Sequence, residues 1–152
     1  MGLDFENYAV KANEFVRLVA EELNIPVKNA GSIVRAVFHA LRNRLSHEES
    51  FHLMAQLPMP LKGVYADNWK FNKDYINLTE LNDFIGEVIT EDQLMSHYDF
   101  NDPLKARKAI AAVFKALNYI ISEAEMSDIL QVLPSGLNQF VNESIDGRKT
   151  ML

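Results

Sequence analysis

There is no cysteine in this chain. That absence removes disulfides, thiolate nucleophiles and zinc–thiolate sites, and it suits a reducing cytoplasm. Long apolar runs are missing too. The opening MGLDFENYAVKANEF carries acids and no hydrophobic stretch, so it reads as neither a signal peptide nor a transmembrane segment. Gly2 follows Met1, but a helical pattern begins almost at once and argues against myristoylation. The six glycines are scattered, so no phosphate-cradling loop is formed. Basic residues vanish between Lys73 and Lys105, where Glu80, Asp83, Glu87, Glu91, Asp92, Asp99 and Asp102 fall. Residues 1–76 hold nine basic and nine acidic side chains; residues 77–152 hold six and twelve, and so carry the whole net charge of −6. Such a surface repels phosphate backbones and anionic lipid. It reads as a solvated acidic face, with a docking site for a basic partner as the alternative.

What is present is a repeat. At 152 residues, 48% of them apolar, the chain is long enough to bury a core without staples. Shifted by 76 positions, residues 33–58 lie over residues 109–134 without a gap. The identities are Ala36/Ala112, Val37/Val113, Phe38/Phe114, Ala40/Ala116, Leu41/Leu117, Ser46/Ser122, Glu49/Glu125, Leu57/Leu133 and Pro58/Pro134. These are core, cap and helix-break residues. A folding unit is duplicated, and no catalytic set is duplicated with it.

The periodicity is helical throughout. Phe5, Tyr8, Ala9, Ala12, Phe15, Val16, Val19 and Leu23 recur at three- and four-residue steps, predicting a first helix from about Asp4 to Leu23. Pro26 ends it. A second helix takes Val34, Val37, Phe38, Leu41 and Leu45 as its stripe, with Gly31-Ser32 as its start. Its copy takes Ile110, Val113, Phe114, Leu117, Ile120 and Ile121, opened by an Asp102 cap and Pro103 at the first helical position. Ser46-His-Glu-Glu49 and Ser122-Glu-Ala-Glu125 are capping boxes. Each short helix they open runs into Leu-Pro, and a further short helix follows each proline. Phe15, Val16, Val19 and Ala20 match Phe84, Ile85, Val88 and Ile89 at a shift of 69. The change of shift places an insertion within residues 90–102, where Thr90-Glu-Asp-Gln93 is a further capping-box pattern. The expected organisation is a first unit over 1–65, an aromatic-containing linker over 66–78, a second unit over 79–145 and a flexible tail over 146–152. The fold class is all-α, two similar units of about four helices packed as one bundle.

Gln56-Leu-Pro58, Leu61, Tyr65 and Trp69, placed after a short capped helix, resemble the signature of a small bacterial helical family catalogued as domain of unknown function 2267. The second half keeps Leu133-Pro134 and Leu137 but has no Trp after them. The resemblance covers nearly the whole chain. It implies an all-helical fold with a two-fold helical repeat, and no reaction.

Chemistry is mostly absent. His47-Glu-Glu-Ser-Phe-His52 mimics a zinc-peptidase motif, but its histidines are five apart, about 140° around a helix, and diverge. His39 aligns with Lys115, which predicts an exposed position; His97 has no partner pattern. Asp99-Phe-Asn101-Asp102 begins like a calcium loop. Pro103, Leu104 and Ile110 then stand where a ligand, a glycine and a bidentate Glu belong. Glu80, Asp83 and Glu87 share a helix face without a matching His. Ser135-Gly136 lacks a nucleophile elbow. Lys28, Arg35 and Arg42 lie seven apart and make a candidate basic ridge for nucleic acid, with Arg44 at its end, yet Arg35 and Arg42 align with Ala111 and Asn118 in the second half. Trp69, Phe71 and Tyr75 read as anchors that clamp the linker, the alternative being a ligand cage.

The expectation is therefore a non-enzymatic helical module that binds another protein in the bacterial cytoplasm. The second reading is a small-molecule binding protein with its pocket between the two units. An enzyme comes third, because no acid–base pair or nucleophile with an orienting partner is visible, and nucleic-acid binding through the ridge of Lys28, Arg35 and Arg42 is a weaker reading. No catalytic, cofactor or metal residue and no cofactor is assigned. The partner is an unidentified protein or a second copy of the chain, with no membrane.

Overall fold

Asp4 opens the first helix by accepting the Asn7 N–H at 3.1 Å. In the computed structural model, which describes residues 3–70, 80–95 and 102–150, this helix α1 covers Phe5–Leu23. Asn24 stops it at φ 54°, a left-handed residue that Asn tolerates. Its N–H reaches Glu21 O while Ile25 N–H reaches Ala20 O at 3.0 Å, a Schellman closure. Helix α2 (Val27–Arg44) follows immediately. It starts a turn before the expected Gly31-Ser32, because the Pro26 carbonyl accepts the N–H groups of Asn29 and Ala30 and forms the first turn without a side-chain cap.

The remaining helices are α3 (His47–Met54), α4 (Met59–Ala66), α5 (Leu81–Met95), α6 (Pro103–Ile120), α7 (Glu123–Val132) and α8 (Ser135–Thr150). Both capping boxes form: Ser46 with Glu49 at 2.8 and 3.1 Å, and Ser122 with Glu125 at 2.8 and 3.0 Å. The Ser122 N–H donated to the Glu125 carboxylate, with a smaller contribution from the Ser122 side chain, holds that carboxyl below its ordinary pKa. Ser122→Ala should therefore cost about 1 kcal/mol. Urea denaturation that shows no loss would count against the cap.

At the opposite end of α3, Lys62 donates to Met54 O and Ala55 O. Asn138, 76 residues on, donates to Leu130 O at 2.6 Å. Different side chains thus close the same turn in α3 and α7. Asp102 caps α6 as expected, accepting Leu104 N–H at 2.9 Å. Part of the insertion is helical, as Thr90-Glu-Asp-Gln93 suggests, but Thr90 does not open a new helix. It lies inside α5, where its hydroxyl donates to Gly86 O, because α5 continues unbroken to Met95. Likewise α8 passes residue 145 and continues to Thr150.

The core is continuous. Phe15, Phe38 and Tyr65 form an aromatic column, with Phe38 stacked on Phe15 at 6.2 Å and tilted on Tyr65 at 5.8 Å. Phe38 and Phe114, Leu41 and Leu117, Leu53 and Ile129, and Leu61 and Leu137 are all buried. α2 packs on α1, α4 and α5; α6 packs on α1, α5 and α8; α3 meets α7. The expected stripe of α1 fails at its beginning. Phe5 is 66% exposed and Ala9 is also exposed, and Ala12 is the first buried residue of the helix. Among the described residues there is no strand, and no helix is long and apolar enough to cross a membrane.

Candidate functional site

The basic ridge on α2 is engaged within the fold. Arg35 pairs with Asp67 at 2.7 Å. Arg42 donates to the carbonyls of Tyr65 and Asp67, at 2.9 and 2.6 Å, and so closes the C-terminal end of α4. Burial pulls its pKa below the ordinary guanidinium value. Arg44 meets Glu87 at 2.7 Å with both side chains mostly covered. Of the ridge, Lys28 alone stays exposed without a salt bridge among the described residues.

Two other expected positions are corrected. His39 is buried, 2% exposed, not a surface residue. Its Nε2 lies 2.9 Å from Val64 O and therefore carries the proton. The acidic face of α5 is not fully solvated either. Glu80 and Asp83 are exposed, but Asn43 donates to Glu87 at 3.0 Å and to Glu91 at 2.6 Å, so these two carboxylates clamp α5 to α2.

Trp69 packs against Tyr65, Phe51 and His47 with ring centroids 5.6–5.9 Å apart, so it anchors the start of the linker to α3 and α4. Phe71, Tyr75, His97 and Asp99 lie outside the described residues. Ser50 shares a 2.8 Å hydrogen bond with the Tyr65 hydroxyl, which burial makes harder to ionise. Ser135 is the first residue of α8. Among the described residues, no three His, Asp or Glu side chains are grouped to hold a metal ion.

A groove lies where α1 meets α6. Leu18 and Glu22 line it from α1, and Ala112, Lys115, Ala116 and Tyr119 from α6; its volume is about 150 Å³. Lys115 and Glu22 pair across it at 2.7 Å. Both are well exposed, so the pair stabilises the fold by at most about 1 kcal/mol. Tyr119 stands 70% exposed at the rim.

The repeat explains why the groove is open. At the two shifts found in the sequence, Leu18 corresponds to Glu87, Glu22 to Glu91 and Tyr119 to Asn43. Asn43, Glu87 and Glu91 fill the contact between α2 and α5 with a polar clamp. Between α1 and α6 the clamp is replaced by an aliphatic side chain and an outward-turned tyrosine. The groove residues were not singled out by motif or spacing. Their only signal in the sequence is that Leu18 and Tyr119 stand where the other half has the polar Glu87 and Asn43. Chemically the groove offers an apolar floor, a charge pair and an aromatic rim. It holds no nucleophile with an orienting base, and it suits an inserted apolar side chain.

A family model described as Uncharacterized conserved protein (DUF2267) matches residues 12–140. No curated protein matches the chain.

Proposed function

We propose that this chain, which belongs to the DUF2267 family of uncharacterized conserved proteins, is a non-enzymatic helical module that binds another protein in the bacterial cytoplasm. The observation that supports this reading is the groove between α1 and α6. It is lined from both halves, open to solvent and edged by Tyr119. At about 150 Å³ it is smaller than pockets that enclose small molecules, which run from about 300 to 1,000 Å³. Its size suits one or two partner side chains. The internal bonds of Arg35, Arg42 and Arg44 weigh against a nucleic-acid ridge.

A photo-crosslinking residue at position 119 tests the reading in native cells, with one at the exposed Glu48 as control. A discrete protein adduct is expected from position 119 and not from position 48. No adduct from position 119, or the same adducts from both positions, would overturn it. A small molecule that copurifies in native mass spectrometry and is displaced by Ala116→Trp would favour the ligand reading instead.

A further inference from the structure

In this acidic chain, α6 carries Lys105, Arg107, Lys108 and Lys115 and neither Asp nor Glu. α2 is also free of acids, but Arg35, Arg42 and Arg44 are engaged internally. Among the described residues, only Lys115 on α6 has a carboxylate partner, Glu22. Lys105, Arg107 and Lys108 are exposed and in no salt bridge among the described residues; the Arg107 guanidinium lies 5.3 Å from the Phe140 ring centroid.

These cations do not serve the helix. The first turn of a helix favours negative charge, and Lys105 sits in it. Lys108 lies on a face with apolar residues, and Lys105 and Arg107 flank that face on opposite sides. At 100° per residue, Leu104, Lys108, Ala111, Lys115 and Tyr119 fall within an arc of about 80°, along roughly 22 Å of helix. Leu104 is 56% exposed and Tyr119 70% exposed, one near each end of that strip. The groove runs beside its C-terminal half.

We propose that this outer face of α6, with the groove against α1, docks an acidic amphipathic helix of a partner protein. The inference rests on the protein-binding reading above and adds the chemistry of the partner. Carboxylates of the partner meet Lys105, Arg107 and Lys108. One apolar side chain covers Leu104, and another enters the groove beside Tyr119, a residue type suited to anchor an interface. A phosphate backbone fits less well. The strip is apolar near both ends, which an amphipathic helix can cover and a phosphate chain cannot.

The test uses the full chain, labelled with ¹⁵N, and a peptide of about 18 residues, long enough to lie along α6. The peptide carries Leu on one helical face and Glu on the flanks; a second version replaces every Glu by Lys. A single-stranded oligonucleotide is the third probe. The acidic peptide should shift the amides of α6 and of Leu18 and Glu22, with affinity falling as salt rises. Charge reversal by Lys105→Glu, Arg107→Glu and Lys108→Glu should weaken it at least about tenfold. Only Lys105→Glu places an acid in the first turn, and Arg107→Glu gives up the Phe140 contact, so the double variant Lys105→Glu with Lys108→Glu, which keeps that contact, should also bind the peptide more weakly with its melting temperature unchanged.

No shift on α6, equal binding of the Lys version, or tighter binding of the oligonucleotide would overturn the inference. Crosslinking from position 119 separates this failure from that of the broader reading. An adduct that persists at full yield in the charge-reversed chain would sink the acidic-helix inference alone. The absence of any adduct in the unaltered chain would sink the protein-binding reading as well.

Discussion

Phe38→Ala and Phe114→Ala should each destabilise the fold by roughly 3–5 kcal/mol, the range for deleting a buried aromatic side chain. Both residues are fully buried, on helices α2 and α6, whose sequences align at a shift of 76. Phe38 is also the middle ring of the column from Phe15 to Tyr65, so its removal leaves both outer rings without their neighbour. Tyr65 additionally holds the buried Ser50 hydroxyl, which ties α3 to the same column. Phe38→Ala should therefore fall in the upper part of the range. Urea denaturation with an unchanged slope and a lowered midpoint would isolate the stability loss. Either variant within about 1 kcal/mol of the unaltered chain would remove that residue from the core.

The parts of this fold that local chemistry fixes were legible in the sequence. Ser46 with Glu49, Ser122 with Glu125, and Asp102 before Pro103 mark helix starts, because each motif satisfies orphan N–H groups within a few residues. The same motif logic points to helix within the insertion, and α5 does run through its first part to Met95, though as a continuation and not as a new start. Thr90-Glu-Asp-Gln93 has the form of a cap, yet the apolar stripe of Phe84, Ile85 and Val88 carries α5 straight through it. α2 begins before Gly31-Ser32 because the Pro26 carbonyl needs no side chain to accept the first N–H groups.

Long-range pairings were harder to read. Aligning His39 with Lys115 transfers exposure only if both side chains take the same path. His39 turns under α4 to Val64 O, whereas Lys115 reaches out to Glu22 on α1. Nor did the spacing of Lys28, Arg35 and Arg42 reveal that Asp67 and the end of α4 would bind two of those three side chains. The groove depends on what stands opposite α6 after folding. It shows in the sequence only as a loss of matched polar residues, Asn43 against Tyr119 and Glu87 against Leu18.

Acidification should expose His39 through stability. Burial holds the ring at a pKa of about 4, against 6.5 for the free side chain. Arg42 and Arg35 nearby push in the same direction, while the Val64 carbonyl and Asp67 oppose them. Above about pH 6.5 the ring is neutral whether the chain is folded or not. Between 6.5 and about 4 the unfolded chain binds a proton that the folded chain refuses, so unfolding takes up protons and stability falls as pH falls. Below about 4 both states are protonated and the slope from this residue ends. The whole interval corresponds to about 3 kcal/mol. Glu125 loses its own contribution in the same direction, but over a window that begins at its ordinary carboxylate range near 4.5 and extends lower. His39→Gln separates the two. Its amide keeps an N–H for Val64 O and does not titrate, so the slope between pH 6.5 and 4.5 should largely disappear. Equal slopes in the two chains across that interval would show that His39 is not held neutral in the fold.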